Sequence, residues 1–79
     1  MTRYFFDLHN DEDTLDEEGQ ELADDGAARD RARQEALIQA GESVRLHGHL
    51  VLHHRIVVRR EHEGEAFAVR FGDVVDVRN

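Results

Sequence analysis

Histidine carries the loudest chemical signal in this chain. Six of the 79 residues are histidine, and four of them crowd into His47-Gly48-His49-Leu50-Val51-Leu52-His53-His54. Imidazoles at two-residue spacing on an extended segment point to one side, so His47, His49 and His53 would share a face with His54 opposite. Such a set suits zinc, nickel or copper. No recognised zinc spacing is present, and the chain has no cysteine to complete a ligand set. A tract of this kind either faces solvent, holds a transition metal, or responds to pH through its imidazoles.

The carboxylates cluster as well. Asn10 to Gly19 holds Asp11, Glu12, Asp13, Asp16, Glu17 and Glu18. A calcium loop needs oxygen ligands at positions one, three and five, glycine at six and glutamate at twelve. Counted from Asp11, position five is Leu15 and position six is Asp16, so the pattern fails and a solvated acidic turn is expected. Nucleophilic catalysis has few candidates. Thr2, Thr14 and Ser43 are the only hydroxyl-bearing aliphatic residues, and no glycine-rich phosphate loop occurs. The absence of cysteine removes thiolate chemistry. No enzymatic activity and no cofactor are expected.

Charge is unevenly laid out. The net charge is −8. Residues 1 to 26 carry ten acids against Arg3 alone, while residues 27 to 79 hold nine arginines and eight acids. An acidic total disfavours nucleic acid and anionic membranes as partners. Arg55, Arg59 and Arg70 nevertheless fall on one face of a predicted hairpin, without the stacking aromatics of an RNA-binding sheet. An acidic protein surface suits them better, and the loop bearing Asp11, Asp13 and Asp16 in a second copy would qualify.

These side chains are positioned by a short series of elements. Tyr4, Phe6 and Leu8 alternate with Phe5, Asp7 and His9, which predicts a strand over 3–9. Ala28, Ala32, Ala36, Ala40 and Val44 recur at four-residue steps, with Leu37 and Gly41 on the adjoining stripe, which predicts a helix over 25–46 lying close to a sheet. Asp24 or Asp25 is placed to cap its start and Gly48 to end it. Residues 54–62 and 65–71 read as a hairpin turning at Glu63-Gly64. That turn pairs Arg60 with Phe67, Val58 with Val69 and Ile56 with Phe71 on the core face. Val74, Val75 and Val77 suggest a short closing strand. The result is a single α+β domain over 1–79, a two-layer fold with a small antiparallel sheet packed on one helix, in the order strand, loop, helix, strand, strand, short strand.

Three stretches carry a resemblance. Arg3-Tyr4-Phe5-Phe6-Asp7, then Asp16-Glu17-Glu18-Gly19-Gln20-Glu21-Leu22-Ala23-Asp24, and finally Phe71-Gly72-Asp73-Val74-Val75-Asp76-Val77 flank an alanine-rich helix. Together they resemble a family of short bacterial proteins catalogued only as a domain of unknown function. The resemblance implies no catalytic residues. The strand-helix-strand-strand order is also similar to the dodecins, which store flavins, although this chain has no tryptophan to stack on the flavin ring. Small size and acidity are similar to HicB-type antitoxin domains, which place more strands before the helix.

No apolar run reaches membrane-spanning length. The opening Met1-Thr2-Arg3 leads straight into the first strand without the apolar stretch of a secretory signal, which predicts a cytoplasmic protein. A chain this short buries only about 60% of its unfolded surface, so self-association is expected to add stability. The sequence therefore suggests a homo-oligomeric interaction or regulatory module, most simply a homodimer. A transition-metal protein using His47, His49, His53 and His54 is the alternative, and a dodecin-like carrier the second.

Overall fold

The computed structural model describes residues 1–78. It is an α+β fold in which one helix crosses a small antiparallel sheet. The elements are β1 (Thr2–His9), β2 (Asp13–Thr14), β3 (Gln20–Leu22), α1 (Asp25–His47), β4 (Arg55–Arg60), β5 (Gly64–Arg70) and a 3-10 turn at Phe71–Asp73. The sheet order is β2-β1-β4-β5, and β3 pairs with β1 beyond β2. The acidic loop Asn10–Gly19 thus contains one short strand, and a second follows it before the helix. Both add to the outer edge of β1, so the sheet ends on β2 and β3 at one side and on β5 at the other.

The helix begins where the sequence asks it to. Asp24 sits in extended backbone and its carboxylate accepts from the Ala27 N–H at 2.8 Å. Gly48 ends the helix at φ 70°, where a side chain would be strained, and its N–H reaches the Val44 carbonyl. Ala28, Ala32, Ala36 and Ala40 are all buried against the sheet. The adjoining stripe goes the other way. Leu37 is 53% exposed and Val44 51%, and a methyl group placed on Gly41 would meet nothing within 4 Å. These three residues therefore turn away from the sheet, because the alanine ridge alone fills the space above it.

The hairpin keeps its predicted faces but not its predicted register. Val58 pairs with Phe67 and Ile56 with Val69, two residues away from the expected match. The turn is Glu61-His62-Glu63, with His62 at φ 69°, and Gly64 already belongs to β5. Ala66 is then an extra residue, a bulge between the Val58–Phe67 and Arg59–Glu65 pairs. A shift of two leaves side-chain parity intact, so Val58 and Val69 remain buried as expected. Phe71 lies beyond the strand in the 3-10 turn, and its N–H donates to the His54 carbonyl at 2.8 Å. Val74 and Val75 form no closing strand. Their N–H groups both turn back to the Phe71 carbonyl, and the two side chains pack on the core.

Candidate functional site

The second face of the sheet holds a charged network that the sequence did not advertise. Asp7 alternates away from the helix and pairs with Val57 across to β4. It is only 1% exposed. Its carboxylate accepts from Arg59 Nε at 2.5 Å, Arg59 Nη2 at 3.1 Å and the Asp16 N–H at 2.8 Å. The guanidinium also donates to the Asp16 carbonyl and lies over the Phe5 ring, 4.7 Å from its centroid. Arg59 is thereby held more firmly protonated, chiefly by its hydrogen bond to Asp7.

Asp16 completes this network by closing a gap in the sheet. Between β2 and β3 the edge of β1 has no strand neighbour, and there the Asp16 carboxylate accepts the Phe6 N–H at 3.1 Å. The same carboxylate accepts from the Glu18 and Gly19 N–H groups, both at 3.2 Å. Burial alone would raise this carboxyl. The three backbone donors and the Arg59 charge outweigh burial and hold it below the usual carboxylate range. Gly19 then passes so close to β1 that a methyl group on it would come within 2.8 Å of the Tyr4 carbonyl, at φ 71°. The run Asp16 to Gly19 is a fastening, and two charges expected to meet a partner, Arg59 and Asp16, are engaged within the chain.

A second fastening joins helix to sheet. Tyr4 donates its hydroxyl to Asp25 at 2.7 Å, and Arg60 holds the same carboxylate through its Nε at 3.0 Å and its Nη2. Arg60 first and Tyr4 second pull the Asp25 carboxyl down to about 2. A carboxylate whose folded pKa lies below its unfolded value of about 3.9 stabilises the fold above that value and stops doing so as pH falls through the folded one. Acidification from about pH 4 to about pH 2 is therefore expected to lower the melting temperature. Asp25→Asn should flatten that fall. A variant melting curve with an unchanged acid limb would show that the pair contributes nothing.

Arg55 and Arg70 have a different fate. They are register partners on β4 and β5, and His9 faces Arg55 from β1. Arg70 reaches only Asp73, at 3.5 Å, and Arg55 has no acidic partner among the described residues. Asp13 meets His9 at 3.0 Å, and Asp11 stands 3.5 Å from His54 Nε2.

The histidine tract does not form the extended row that its spacing suggests. His47 ends the helix, Gly48 reverses the chain, and His53 lies in a turn. The rings divide into two pairs, His47 stacked on His49 at 5.6 Å and His53 edge-on to His54 at 5.4 Å. His54 is buried and packs edge-on against Phe71. Among the described residues no three histidine or carboxylate side chains converge on a point that could hold a metal ion. His47, His49 and His54 do border a cavity of about 170 Å³ with Asp11, Glu42 and Ser43. That space is below the ~300 Å³ at which ligand pockets begin.

The larger depression, about 550 Å³ and open, runs between the loop before β3 and the flank of α1. No helix of the described residues is long and apolar enough to cross a membrane. No curated protein and no solved structure matches the chain. A domain of unknown function, DUF6894, matches residues 3–72, nearly the whole chain, and the chain belongs to that family.

Proposed function

We propose that this protein is a non-enzymatic interaction module that works as a homo-oligomer, assembled through the outer stripe of α1. The observation that carries this reading is the orientation of the helix. It buries four alanines and turns Leu37, Ile38 and Val44 to solvent, each at least half exposed. Gly41 lies among them with open space beside it. A glycine inside a helix costs about 1 kcal/mol relative to alanine, and nothing in the monomer asks for it. A second helix does, because a missing side chain lets two helices approach closely.

An antiparallel pair centred on Gly41 would set Ile38 of each copy against Val44 of the other, a self-complementary two-fold arrangement. Completing the burial of a half-exposed leucine, isoleucine or valine contributes about 1 kcal/mol, or about 6 for the six side chains of a dimer. Association costs of at least about 4 kcal/mol oppose this, so the dimer is weak and concentration-dependent. The acidic-loop-to-arginine contact then has a smaller part. Arg55 and Arg70 remain available for it, but Val57 beneath them is already buried.

Sedimentation should show a dimer or larger species at about 100 µM protein. Ile38→Glu should give a monomer with the same circular dichroism. Gly41→Ala should raise the thermal stability of the dilute protein and weaken association, opposite effects that a purely structural glycine would not produce. A strict monomer at that concentration overturns the proposal.

A further inference from the structure

We infer that the open groove between the Leu15–Gln20 segment and α1 binds a short cationic protein segment that carries an apolar anchor. This rests on surfaces separate from the outer helix stripe. The groove exists because the alanine ridge of α1 packs over β4 and β5 rather than over β1. Phe6 and Leu8 point to the helix side of the sheet and are left half-buried there. Leu15 adds a third apolar side chain, 61% exposed. All three line a space of about 550 Å³, within the ~300–1,000 Å³ range of binding clefts.

The walls around this apolar floor are acidic. Glu17 and Glu18 stand on the loop side and Glu35 on the helix side. Asp16 also lines the groove, but its carboxylate is taken by backbone N–H groups. The lining has a single cation, Arg31, which is already tied to Glu35 at 3.4 Å and to Gln20 at 3.3 Å. The Glu17 and Glu18 carboxylates form no ion pair among the described residues; the Arg3 guanidinium reaches only the Glu18 backbone carbonyl, at 2.7 Å.

The occupant follows from the charge. A chain of net charge −8 repels nucleic acid and anionic lipid and steers cations toward its acidic end. A lysine or arginine would settle beside Glu17 and Glu18. Exposed ion pairs alone discriminate poorly. Selection therefore falls to the floor, where an apolar side chain of the segment covers Phe6, Leu8 and Leu15. A uniformly charged polycation satisfies the rim and leaves the floor wet.

The test uses the full chain and two fluorescein-labelled synthetic peptides of about ten residues, one alternating leucine with lysine and one alternating serine with lysine. Anisotropy titrations at about 150 mM salt, where surface charge is screened within about 8 Å, should show the leucine peptide binding at least tenfold more tightly. Leu15→Ser lies on an exposed side chain and should leave the fold intact by circular dichroism while weakening that binding at least fivefold. Glu17→Gln with Glu18→Gln should weaken both peptides. Equal affinity for the two peptides, or no effect of Leu15→Ser, overturns the inference in favour of nonspecific charge attraction. A second copy as the occupant is the other competitor. If the leucine peptide dissociates the oligomer, and Leu15→Ser alone also prevents self-association, the groove belongs to the dimer and the partner assignment fails. Self-association abolished by Ile38→Glu with peptide binding retained supports both surfaces independently.

Discussion

Replacing Asp7 by alanine is expected to lower the unfolding free energy by about 3 kcal/mol. The carboxylate is buried and accepts three hydrogen bonds, two from Arg59 and one from the Asp16 N–H. Its removal leaves a guanidinium with the Asp16 carbonyl and the Phe5 ring as its remaining contacts, and it orphans a backbone donor. Breaking one side of a buried ion pair costs about 3–5 kcal/mol; the low end applies because the Arg59 side chain is 35% exposed and water can reach it. For a domain of this length the whole stability is on the order of 4–12 kcal/mol, so the change removes a quarter or more of it. Urea unfolding measures this directly. The double variant Asp7→Leu with Arg59→Met should recover the part of the loss that comes from the unpaired charge, and leave the part that comes from the orphaned Asp16 N–H. A loss below about 1 kcal/mol for Asp7→Ala would show that the loop is held by something else. The consequence reaches beyond stability, because the Asp16 fastening presents Leu15, Glu17 and Glu18 to the groove. Asp7→Ala should weaken peptide binding as well.

The elements were largely legible in the sequence, and the network was not. Alternation over Tyr4 to His9 and the alanine steps from Ala28 to Ala40 are periodic signals, and each gives an element and its buried face. Asp24 and Gly48 mark the helix ends because cap chemistry is local. Asp7 gives no such signal. Its partner Arg59 is 52 residues away, and only the β1–β4 register brings them together. The hairpin register failed for a related reason. Glu63-Gly64 is a good two-residue turn on paper, but His62 takes the left-handed position first and the Ala66 bulge absorbs the extra residue. The helix presents a subtler case. Leu37, Gly41 and Val44 share a stripe beside the alanines, and sequence alone does not say how wide the buried face is. Small residues fill little space, so the helix sits low and only one ridge is covered. A row of histidines on one face needs extended backbone, and here His47 and Gly48 are spent on ending a helix.

The same economy of small side chains makes Phe71 the most consequential apolar residue, and Phe71→Ala should cost about 4 kcal/mol. Four of the nine buried residues in the core cluster are alanines, each contributing one methyl group. The burden falls on Tyr4, Ile56, Val58, Val69 and Phe71, and Phe71 is the largest of the fully buried side chains. It is also a junction. Its N–H continues the hairpin ladder to the His54 carbonyl, its carbonyl accepts from Val74 and Val75, and its ring meets His54 edge-on at 5.8 Å. Removing the ring opens a cavity that alanines on a rigid helix cannot collapse to fill, so the cost lies well above the transfer free energy of the lost atoms alone. Subtracted from a total of about 4–12 kcal/mol, a loss of this size leaves a dilute sample partly unfolded. Phe71→Leu keeps much of the volume and should cost about 1.5 kcal/mol. Thermal unfolding ranks the two variants, and the His54 ring proton resonances report the packing locally, since they lose the aromatic ring current in either case. If Phe71→Ala melts within a few degrees of the parent, the core is sustained by the helix–sheet ion pair at Asp25 and the Asp7 network rather than by apolar burial. If its melting temperature recovers as concentration rises, the dimer is contributing the stability that a core of alanines leaves short.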